Sequence, residues 1–448
     1  MADRKKRVLF ISFDFPPRRT SGVYRMTGLA KYLPAAGWIP TVLSVRGPVR
    51  VWTDAELVED QRLLERVPSG LEIIRTDYLD VRAWEDLRTR GNPGGQPELD
   101  SPAQTTAAPS RRSSLRRMLS RVAGVMQSLL YFPDPALGWT PYALEAASHS
   151  HRIHRFDAVF SSGPPRTSLL VGLLFKKLHR VPWTAEFMDP WYRPPGRIRS
   201  AADRWLQKVI VRQADRVVAV TEGHAAELRH QFGISQDKIA VVPNGYDEDD
   251  FRSFAVPQRP EGPLRLTHVG TIYPGHSGRF FQACADLLQE SPELNSRLQI
   301  DVIGYPDEAT NKFAHSAPLD SIITLHGYRP HAETLAAIAR TDYLLLFLAD
   351  REFARLCISG KTYEYMRTGK PILAVTYEGG IQKLLQDSGA GLVLPPDDEG
   401  AIKETLRRLL DGTQNAGGAT TDFARQFGYD RLAAQLGAVL DETTARFV

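Results

Sequence analysis

Two series of short apolar segments, separated by stretches with helical periodicity, constrain the fold of this chain most strongly. The first half contains VLFISF, PTVLSV, LEIIRT, DAVFSS, WTAEF, RVVAVT and IAVVPN, and the second half contains LRLTHVG, LQIDVIG, SIITLHG, YLLLFLA, PILAVT and GLVLP. These segments are apolar at successive positions, which is typical of parallel strands that are buried on both faces. Their alternation with helices predicts an α/β protein with two doubly wound sheets.

The length of the chain also favours two domains, because one hydrophobic core rarely organises 448 residues. Residues 246–263, YDEDDFRSFAVPQRPEGP, are polar and rich in proline, so we predict a linker there. We therefore predict a first domain over residues 1–255, a second domain over 262–420 and a helical segment over 421–448.

Two neighbouring segments interrupt the pattern of strands and helices. Residues 88–114 are too rich in glycine, proline, serine and threonine to pack, and we predict a disordered insertion there. Over residues 115–130 the apolar side chains fall on one helical face, with arginines before or off that face. Residues 111–130 are therefore a candidate for peripheral contact with an anionic membrane. The alternative is a helix that packs on its own domain with its arginines in solvent.

Charge and cysteine content exclude several classes of protein. A net charge of +4 is mild basicity, which suits anionic ligands or an acidic membrane surface but not a partner such as nucleic acid. The two cysteines, Cys284 and Cys357, are far apart, which fits a reducing cytosol without a disulfide framework. No apolar run is long enough for a signal peptide or a membrane span. We therefore predict a cytoplasmic protein, either soluble or peripheral at the inner face of the membrane.

The segment CISGKTYEYMRTGKP contains the letters GKT, with which a phosphate-binding P-loop ends. A P-loop also needs a glycine five positions before its last glycine, and Arg355 occupies that position. The segment instead predicts a short helix that is capped by Ser359 and begins with Gly360 and Lys361, so that its positive end meets an anion. Glu364 shares a helical face with Lys361. A cation beside a carboxylate suits a ligand with both phosphate and sugar hydroxyl groups.

Further candidates lie in loops after predicted strands, where doubly wound folds bind their ligands. The first such loop lacks the Gly-x-Gly-x-x-Gly turn of nicotinamide and flavin enzymes, but its Gly22 would let a ligand approach closely, unless it is a plain turn glycine. Glu186 and Asp189 flank the end of WTAEF near Trp183 and Trp191, which suits a carbohydrate. Asp189 could equally cap its loop.

In the second half, the loop after LRLTHVG supplies Gly270, Thr271 and Arg279. An arginine there can bind a diphosphate with two hydrogen bonds, and a solvent-facing helix arginine is the alternative. The backbone of Tyr328, after the next-but-one strand, is placed to bind a base. The segment ADREFARLCIS predicts a long functional loop. The histidines of SHSHRIHR lack carboxylate or cysteine companions, so we predict no metal site.

The chain resembles glycosyltransferase family 4. The segments VLFISFDFPP with SGVYRMTGLAKYLPAAGW, VVPNGYDEDDF, HVGTIYPG, HGYRPHAE and SGKTYEYMRTGKPILAV occur in the order expected of that family. The resemblance implies the GT-B fold, in which two Rossmann-like domains face a cleft and a final helix returns to the first domain. It also implies a nucleotide-sugar donor held mainly by the second domain, an acceptor on the first, retention of anomeric configuration and no metal or other cofactor.

The resemblance also implies roles for individual residues. Glu364 would bind the donor ribose, while Lys361 and the N–H groups around Ser359 and Gly360 would bind phosphate or sugar oxygens. From the first domain, Gly22 would approach the diphosphate, and Asp189 lies near the acceptor-side catalytic region.

Two departures from the family pattern affect this assignment. Leu356 stands where the family commonly has a glutamate that contacts the transferred sugar. The usual arginine and lysine of the phosphate site appear as Thr271 and Ser277, so Arg279 is the substitute candidate.

These features predict a retaining glycosyltransferase that moves a sugar from a nucleoside-diphosphate sugar to an acceptor hydroxyl. Lys361 and Arg279 would stabilise the leaving diphosphate, and Asp189 would act at the acceptor. The basic segment 111–130 suggests a lipid-linked acceptor, as in the synthesis of surface polysaccharides or glycoconjugates. Two alternatives stay open: a GT-B nucleotide-sugar epimerase, and a degenerate GT-B protein that binds a sugar nucleotide without turnover.

Overall fold

The computed structural model describes residues 5–49, 51, 59–80, 131–191, 197–252, 254–255 and 262–447. The predicted insertion 88–114 and the predicted helix 115–130 lie outside these residues. Among the helices that are described, none is both long enough and apolar enough to cross a membrane.

The first half of the chain forms a seven-stranded sheet with the strand order β3-β2-β1-β4-β5-β6-β7. Its strands are β1 (Lys6–Ile11), β2 (Trp38–Val45), β3 (Glu72–Thr76), β4 (Ala158–Gly163), β5 (Trp183–Phe187), β6 (Arg216–Ala219) and β7 (Ile239–Val241). The helices between them are α1 (Ser21–Tyr32), α2 (Thr140–His154), α3 (Arg166–His179), α4 (Arg197–Gln213) and α5 (Glu222–Phe232). β1 pairs in parallel with both β2 and β4, so the chain winds outward from the middle of the sheet in both directions.

The second half forms a six-stranded parallel sheet with the order β10-β9-β8-β11-β12-β13. Its strands are β8 (Leu264–Thr271), β9 (Leu298–Tyr305), β10 (Ile323–Gly327), β11 (Tyr343–Leu348), β12 (Ile372–Thr376) and β13 (Gly391–Leu394). The helices are α6 (Gly278–Glu290), α7 (Glu308–Ala314), α8 (His331–Ala339), α9 (Arg351–Leu356), α10 (Gly360–Arg367), α11 (Gly380–Ser388), α12 (Glu399–Leu410), α13 (Thr421–Arg425) and α14 (Tyr429–Ala445).

The interior of the second sheet explains why its strands are apolar at successive positions. Along β11, Leu345 and Phe347 belong to one hydrophobic cluster, whereas Leu344 and Leu346 belong to another. Successive side chains of a strand point to opposite faces, so both faces of this sheet are covered. The doubly wound α/β architecture predicted from the apolar segments is therefore confirmed.

The segment ADREFARLCIS differs from its predicted structure. It contains the helix α9, because the Asp350 side chain accepts a hydrogen bond from the Phe353 N–H and so caps the first turn. The prediction of a long loop there was wrong.

The chain forms two compact units. The first unit comprises Met1–Val217 together with Val439–Val448, and the second comprises Val218–Ala438. In the first unit the end of α14 is tied to the sheet by charged and polar contacts. Lys6 Nζ lies 2.6 Å from Asp441 Oδ1, and the hydroxyl groups of Thr184 and Thr443 are 2.9 Å apart.

Candidate functional site

Three of the predicted donor-site residues, Ser359, Gly360 and Lys361, lie at the start of α10. Ser359 occupies the residue before the helix, with φ −64° and ψ 143°, but its side chain makes no capping hydrogen bond to the backbone. Its hydroxyl lies 3.0 Å from the Thr362 hydroxyl instead. The prediction that the Ser359 side chain caps the helix was wrong, because the neighbouring threonine hydroxyl competes for it.

Lys361 extends from this turn toward the end of β8. Its Nζ lies 3.4 Å from the Thr271 carbonyl oxygen, and a Cβ placed on Gly270 would lie only 2.9 Å from the same Nζ. Gly270 has φ +101°, a conformation that also disfavours any side chain. The fold therefore brings together Gly270, Thr271 and Lys361, which are distant in sequence.

A second glycine, which the sequence pattern did not single out, completes this backbone surface. Gly304 at the end of β9 pairs with Gly270, has φ +127°, and a Cβ there would lie 2.4 Å from the Gly270 carbonyl oxygen. The penultimate residues of β8 and β9 thus carry no side chain, and the one on β8 lies beside Lys361. The available signal was the ending of both strand segments in glycine, HVG and VIG.

We expect Gly304→Ala to lower the free energy of unfolding by about 2–3 kcal/mol. Alanine disfavours the positive φ of residue 304, and its Cβ would clash with the Gly270 carbonyl oxygen. Gly412→Ala is the matched control, because Gly412 has φ +69° but no atom within 4 Å of its Cβ position. Urea unfolding of both variants distinguishes the cost of a positive φ, which both alanines share, from the cost of the clash between β8 and β9, which only Gly304→Ala has. Equal losses in the two variants would contradict a tight β8–β9 contact.

Burial lowers the pKa of Lys361 to about 8, against the opposing effect of the Glu364 carboxylate. Behind Lys361, the buried His268 ring lies 3.1 Å from the Leu345 carbonyl oxygen through Nδ1. Desolvation, and then the Lys361 charge, lower the pKa of His268 well below its usual value, so this imidazole is neutral. Of Lys361 and His268, therefore, only Lys361 is positively charged at neutral pH.

Glu364 lies on the next turn of α10, where its Oε1 is 4.0 Å from Nε2 of His331. His331 begins α8, shortly after Tyr328, which is 40% exposed. The Glu364 carboxylate, which is predicted to bind ribose, therefore contacts the chain segment that also contains Tyr328. His331 was not among the predicted site residues.

The position of β8 relative to α10 is set by Tyr365. Its buried hydroxyl accepts a hydrogen bond of 2.9 Å from the Val269 N–H. Burial raises the pKa of Tyr365, so the phenol stays protonated. This contact joins the helix that bears Lys361 to the strand that ends in Gly270.

Arg279, the predicted substitute cation, lies in a different cluster. Its guanidinium is 4.0 Å from both Asp397 and Glu399, and its side chain is 61% exposed. Asp397 also accepts hydrogen bonds from Arg351 at 2.6 Å and from the Tyr377 hydroxyl at 2.9 Å. The described contacts of Arg279 therefore run to carboxylates and not to the group around Lys361.

Leu356, where the family commonly has a glutamate, is the last residue of α9 and is 3% exposed. Its carbonyl oxygen accepts a hydrogen bond of 2.5 Å from the Thr221 hydroxyl, and a Cβ on Gly223 would lie 2.5 Å from the Arg355 carbonyl oxygen. The start of α5 therefore packs directly against the chain that leads into α10. The leucine side chain is part of the protein interior.

The segment PNGYD and the residues that follow it contact both ends of α10. The Asn244 side chain donates a hydrogen bond of 3.4 Å to the Ile358 carbonyl oxygen. Further along, Glu248 accepts a hydrogen bond of 2.8 Å from Nε of Arg367 on the last turn of α10. Asn244 in this segment and Glu248 just after it thus contact the chain before α10 and the last turn of α10.

In the first unit, Gly22 and Asp189 lie in one neighbourhood. A Cβ on Gly22 would lie 2.8 Å from the Met188 methyl group, so the start of α1 packs against the residue before Asp189. Asp189 is exposed. Desolvation by the surrounding protein, followed by repulsion from the Glu186 carboxylate, raises the pKa of Asp189 to about 6.

Glu186 itself is fully buried and paired. Its Oε1 accepts a hydrogen bond of 2.6 Å from the Arg25 guanidinium, and its Oε2 accepts one of 2.6 Å from the Ser162 hydroxyl. Arg25 is 2% exposed. The pair holds α1, β4 and β5 together beside Asp189, a role for Arg25 that the sequence pattern did not indicate.

Within the described residues, no group of three or more histidine, cysteine, aspartate or glutamate side chains is arranged to hold a metal ion. Of the histidines in SHSHRIHR, the buried His151 accepts a hydrogen bond from the Phe156 N–H, and His154 lies 3.2 Å from Glu72. Both histidine side chains therefore make contacts within the protein itself.

Comparison with known proteins gives two successive matches. Residues 103–250 match the family model described as Glycosyltransferase Family 4, and residues 265–412 match the model described as Glycosyl transferases group 1. The D-inositol 3-phosphate glycosyltransferase of Streptomyces scabiei is 29% identical over 252 residues, which cover 51% of this chain and 54% of that protein. The chain thus spans about half the length of such curated relatives.

Two solved structures have a similar fold over nearly their whole length. A glycosyltransferase from Rickettsia africae has a TM-score of 0.60 at 13% identity, covering 98% of this chain and 99% of that one. Anabaena HepE, solved in complex with UDP, has a TM-score of 0.59 at 13% identity, covering 98% and 100%. At such low identity the likeness concerns the fold alone.

Proposed function

Because this chain belongs to the glycosyltransferases, with a Family 4 region followed by a group 1 region, we propose that it transfers a sugar from a nucleoside-diphosphate sugar to an acceptor hydroxyl with retention of configuration. The observation that carries the proposal is the grouping of Lys361 with Gly270 and Gly304 near the ends of β8 and β9. Glycine backbone beside a helix start and a lysine ammonium accommodates a diphosphate closely.

In the proposed reaction, the Lys361 ammonium and the first N–H groups of α10 bind the diphosphate as its negative charge grows during departure. Glu364 binds the ribose hydroxyls, and Tyr328 contacts the base. Since these groups provide positive charge at the diphosphate, we propose turnover without a metal, so that EDTA leaves nucleoside diphosphate release unchanged.

We propose that Asp189 binds the acceptor hydroxyl and receives its proton. A carboxylate with a pKa of about 6 is mostly ionised at neutral pH, yet is basic enough to take part in proton transfer. The Glu186 carboxylate, fixed by Arg25, contributes to that basicity.

The pH dependence of donor binding should report Lys361. Its pKa is lowered to about 8, so the ammonium charge is present below pH 8 and is lost as the pH rises through that value. We expect the affinity for nucleoside diphosphate to fall by up to about tenfold for each pH unit above 8. Calorimetric titration of wild type and Lys361→Arg tests this, since a guanidinium stays charged over that range. If the affinity of Lys361→Arg falls to the same extent above pH 8, a group other than Lys361 causes the fall.

The proposed donor class is tested with a panel of uridine, guanosine and adenosine diphosphate sugars. Because Anabaena HepE was solved with UDP, UDP-sugars are the first to test. One of them should raise the melting temperature and then release nucleoside diphosphate in the presence of an acceptor. Binding without turnover for every acceptor would overturn the transferase proposal and favour a degenerate binding protein.

The acceptor panel should include inositol phosphate, because relatives of this chain are named D-inositol 3-phosphate glycosyltransferases, and lipid-linked sugars. We propose a lipid-linked acceptor of surface polysaccharide or glycoconjugate synthesis, with membrane contact through residues 111–130 at the inner face. The support is the five arginines of that segment, namely Arg111, Arg112, Arg116, Arg117 and Arg121. Changing all five to glutamine should lower the turnover of a vesicle-borne acceptor but not that of a soluble one.

A further inference from the structure

The helix α4 has an unusual solvent face. Its buried side includes Leu206, Ile210 and Val211. On the opposite side Ile198 is 63% exposed and Trp205 is 61% exposed. These two residues are seven positions apart, or two helical turns, so they lie on one face. A tryptophan exposed to this extent is uncommon in a folded protein.

The charges on the same side of α4 have one sign. Arg204, Lys208 and Arg212 are all exposed. The only acidic residue of the helix, Asp203, is 4% exposed, and its carboxylate accepts a hydrogen bond of 2.6 Å from Arg166. Asp203 is thus paired in the interior. The exposed charged side chains Arg204, Lys208 and Arg212 on the solvent side of the helix are all cationic.

We propose that the cationic face of α4, made up of Ile198, Arg204, Trp205, Lys208 and Arg212, docks on the surface of an anionic lipid bilayer. The indole ring and the isoleucine side chain enter the interface, and the three cations bind lipid phosphates. Charge complementarity favours a bilayer over a second copy of this chain, because two identical cationic faces repel each other.

The location of the face connects it with the proposed acceptor side. α4 begins only a few residues after Asp189 in the sequence. Docking through α4 brings the acceptor-side edge of the first unit to the lipid surface, where a membrane-bound acceptor would be met. The surface is made of residues other than 111–130, and lipid binding by it does not depend on which sugar is transferred.

Co-sedimentation of the full chain with phosphatidylcholine vesicles, with and without phosphatidylglycerol, tests the proposal. Wild type should bind the phosphatidylglycerol vesicles, more weakly at high salt. Trp205→Ser should lower the partition coefficient by at least about tenfold. Changing Arg204, Lys208 and Arg212 to glutamine should lower it by about a hundredfold, since each cation near such a surface contributes about fivefold.

Ile153→Ser is the matched control for Ile198→Ser, because Ile153 on α2 is 62% exposed. The control should bind as wild type does, while Ile198→Ser should bind less. Melting curves establish that each variant is folded. Absence of binding to phosphatidylglycerol vesicles, equal losses in the two isoleucine variants, or a Trp205-dependent dimer in gel filtration would each overturn the proposal. If one of these results occurs while the variants still release nucleoside diphosphate from the donor at the wild-type rate with a soluble acceptor, the lipid-docking proposal fails without failure of the transferase proposal.

Discussion

Lys361→Ala is expected to lower the rate of nucleoside diphosphate release by about 10²–10³-fold, a loss typical of removing one group that stabilises developing negative charge. The reason is that the ammonium, 3.4 Å from the Thr271 carbonyl oxygen, is the cation that the fold holds beside Gly270, near the end of β8. The measurement is single-turnover release of nucleoside diphosphate with the donor that raises the melting temperature.

Two further variants sharpen this result. Lys383→Ala removes a lysine that is 78% exposed and paired with Asp387, and its activity should equal that of wild type. Lys361→Arg should retain donor binding and lose part of the turnover, because the charge is kept while its geometry changes. Full activity in Lys361→Ala would show that the donor diphosphate binds elsewhere.

Arg25→Met is expected to lower the free energy of unfolding of the first unit by about 3–5 kcal/mol, because it leaves the buried Glu186 without its counter-charge. Glu186 is fully buried, and its bond to the Arg25 guanidinium is 2.6 Å long. Urea unfolding, followed by the fluorescence of the buried tryptophans, measures the loss.

The double variant Arg25→Met with Glu186→Leu provides the control for Arg25→Met. Replacing both members of a buried ion pair by apolar residues is often neutral, so most of the lost stability should return. Ser162→Ala, which removes only the hydroxyl donor to Glu186, should cost about 1–2 kcal/mol. If Arg25→Met and the double variant were equally unstable, the loss would come from packing of the arginine side chain and not from the unpaired charge.

The predicted GT-B fold is confirmed, and the reason lies in the pattern of apolar residues. Each predicted strand segment forms a strand, because an uninterrupted apolar run bounded by turn residues can be buried only between two layers of helices. The error at ADREFARLCIS has an equally local cause. A six-residue helix is too short to produce an apolar period, and only the cap made by Asp350 reveals it.

Individual side chains of the site were less predictable. The helix that begins at Gly360 was predicted from its sequence, yet the Ser359 hydroxyl turns to Thr362 and not to the backbone. Arg279 was selected by its position after β8, but its guanidinium contacts Asp397, just before α12, and Glu399, the first residue of α12. The roles assigned to the site residues remain predictions, and the Lys361 variants test the one on which the donor site depends most.

The sequence by itself determined the α/β class, the strands and the helix that bears Lys361, because those depend on residue periods and turn residues within short segments. The tertiary structure alone decided that Gly304 meets Gly270, that His331 approaches Glu364, and that Arg25 neutralises a buried Glu186. Such contacts depend on strand register and on packing between segments far apart in the chain. No local pattern of residues encodes them.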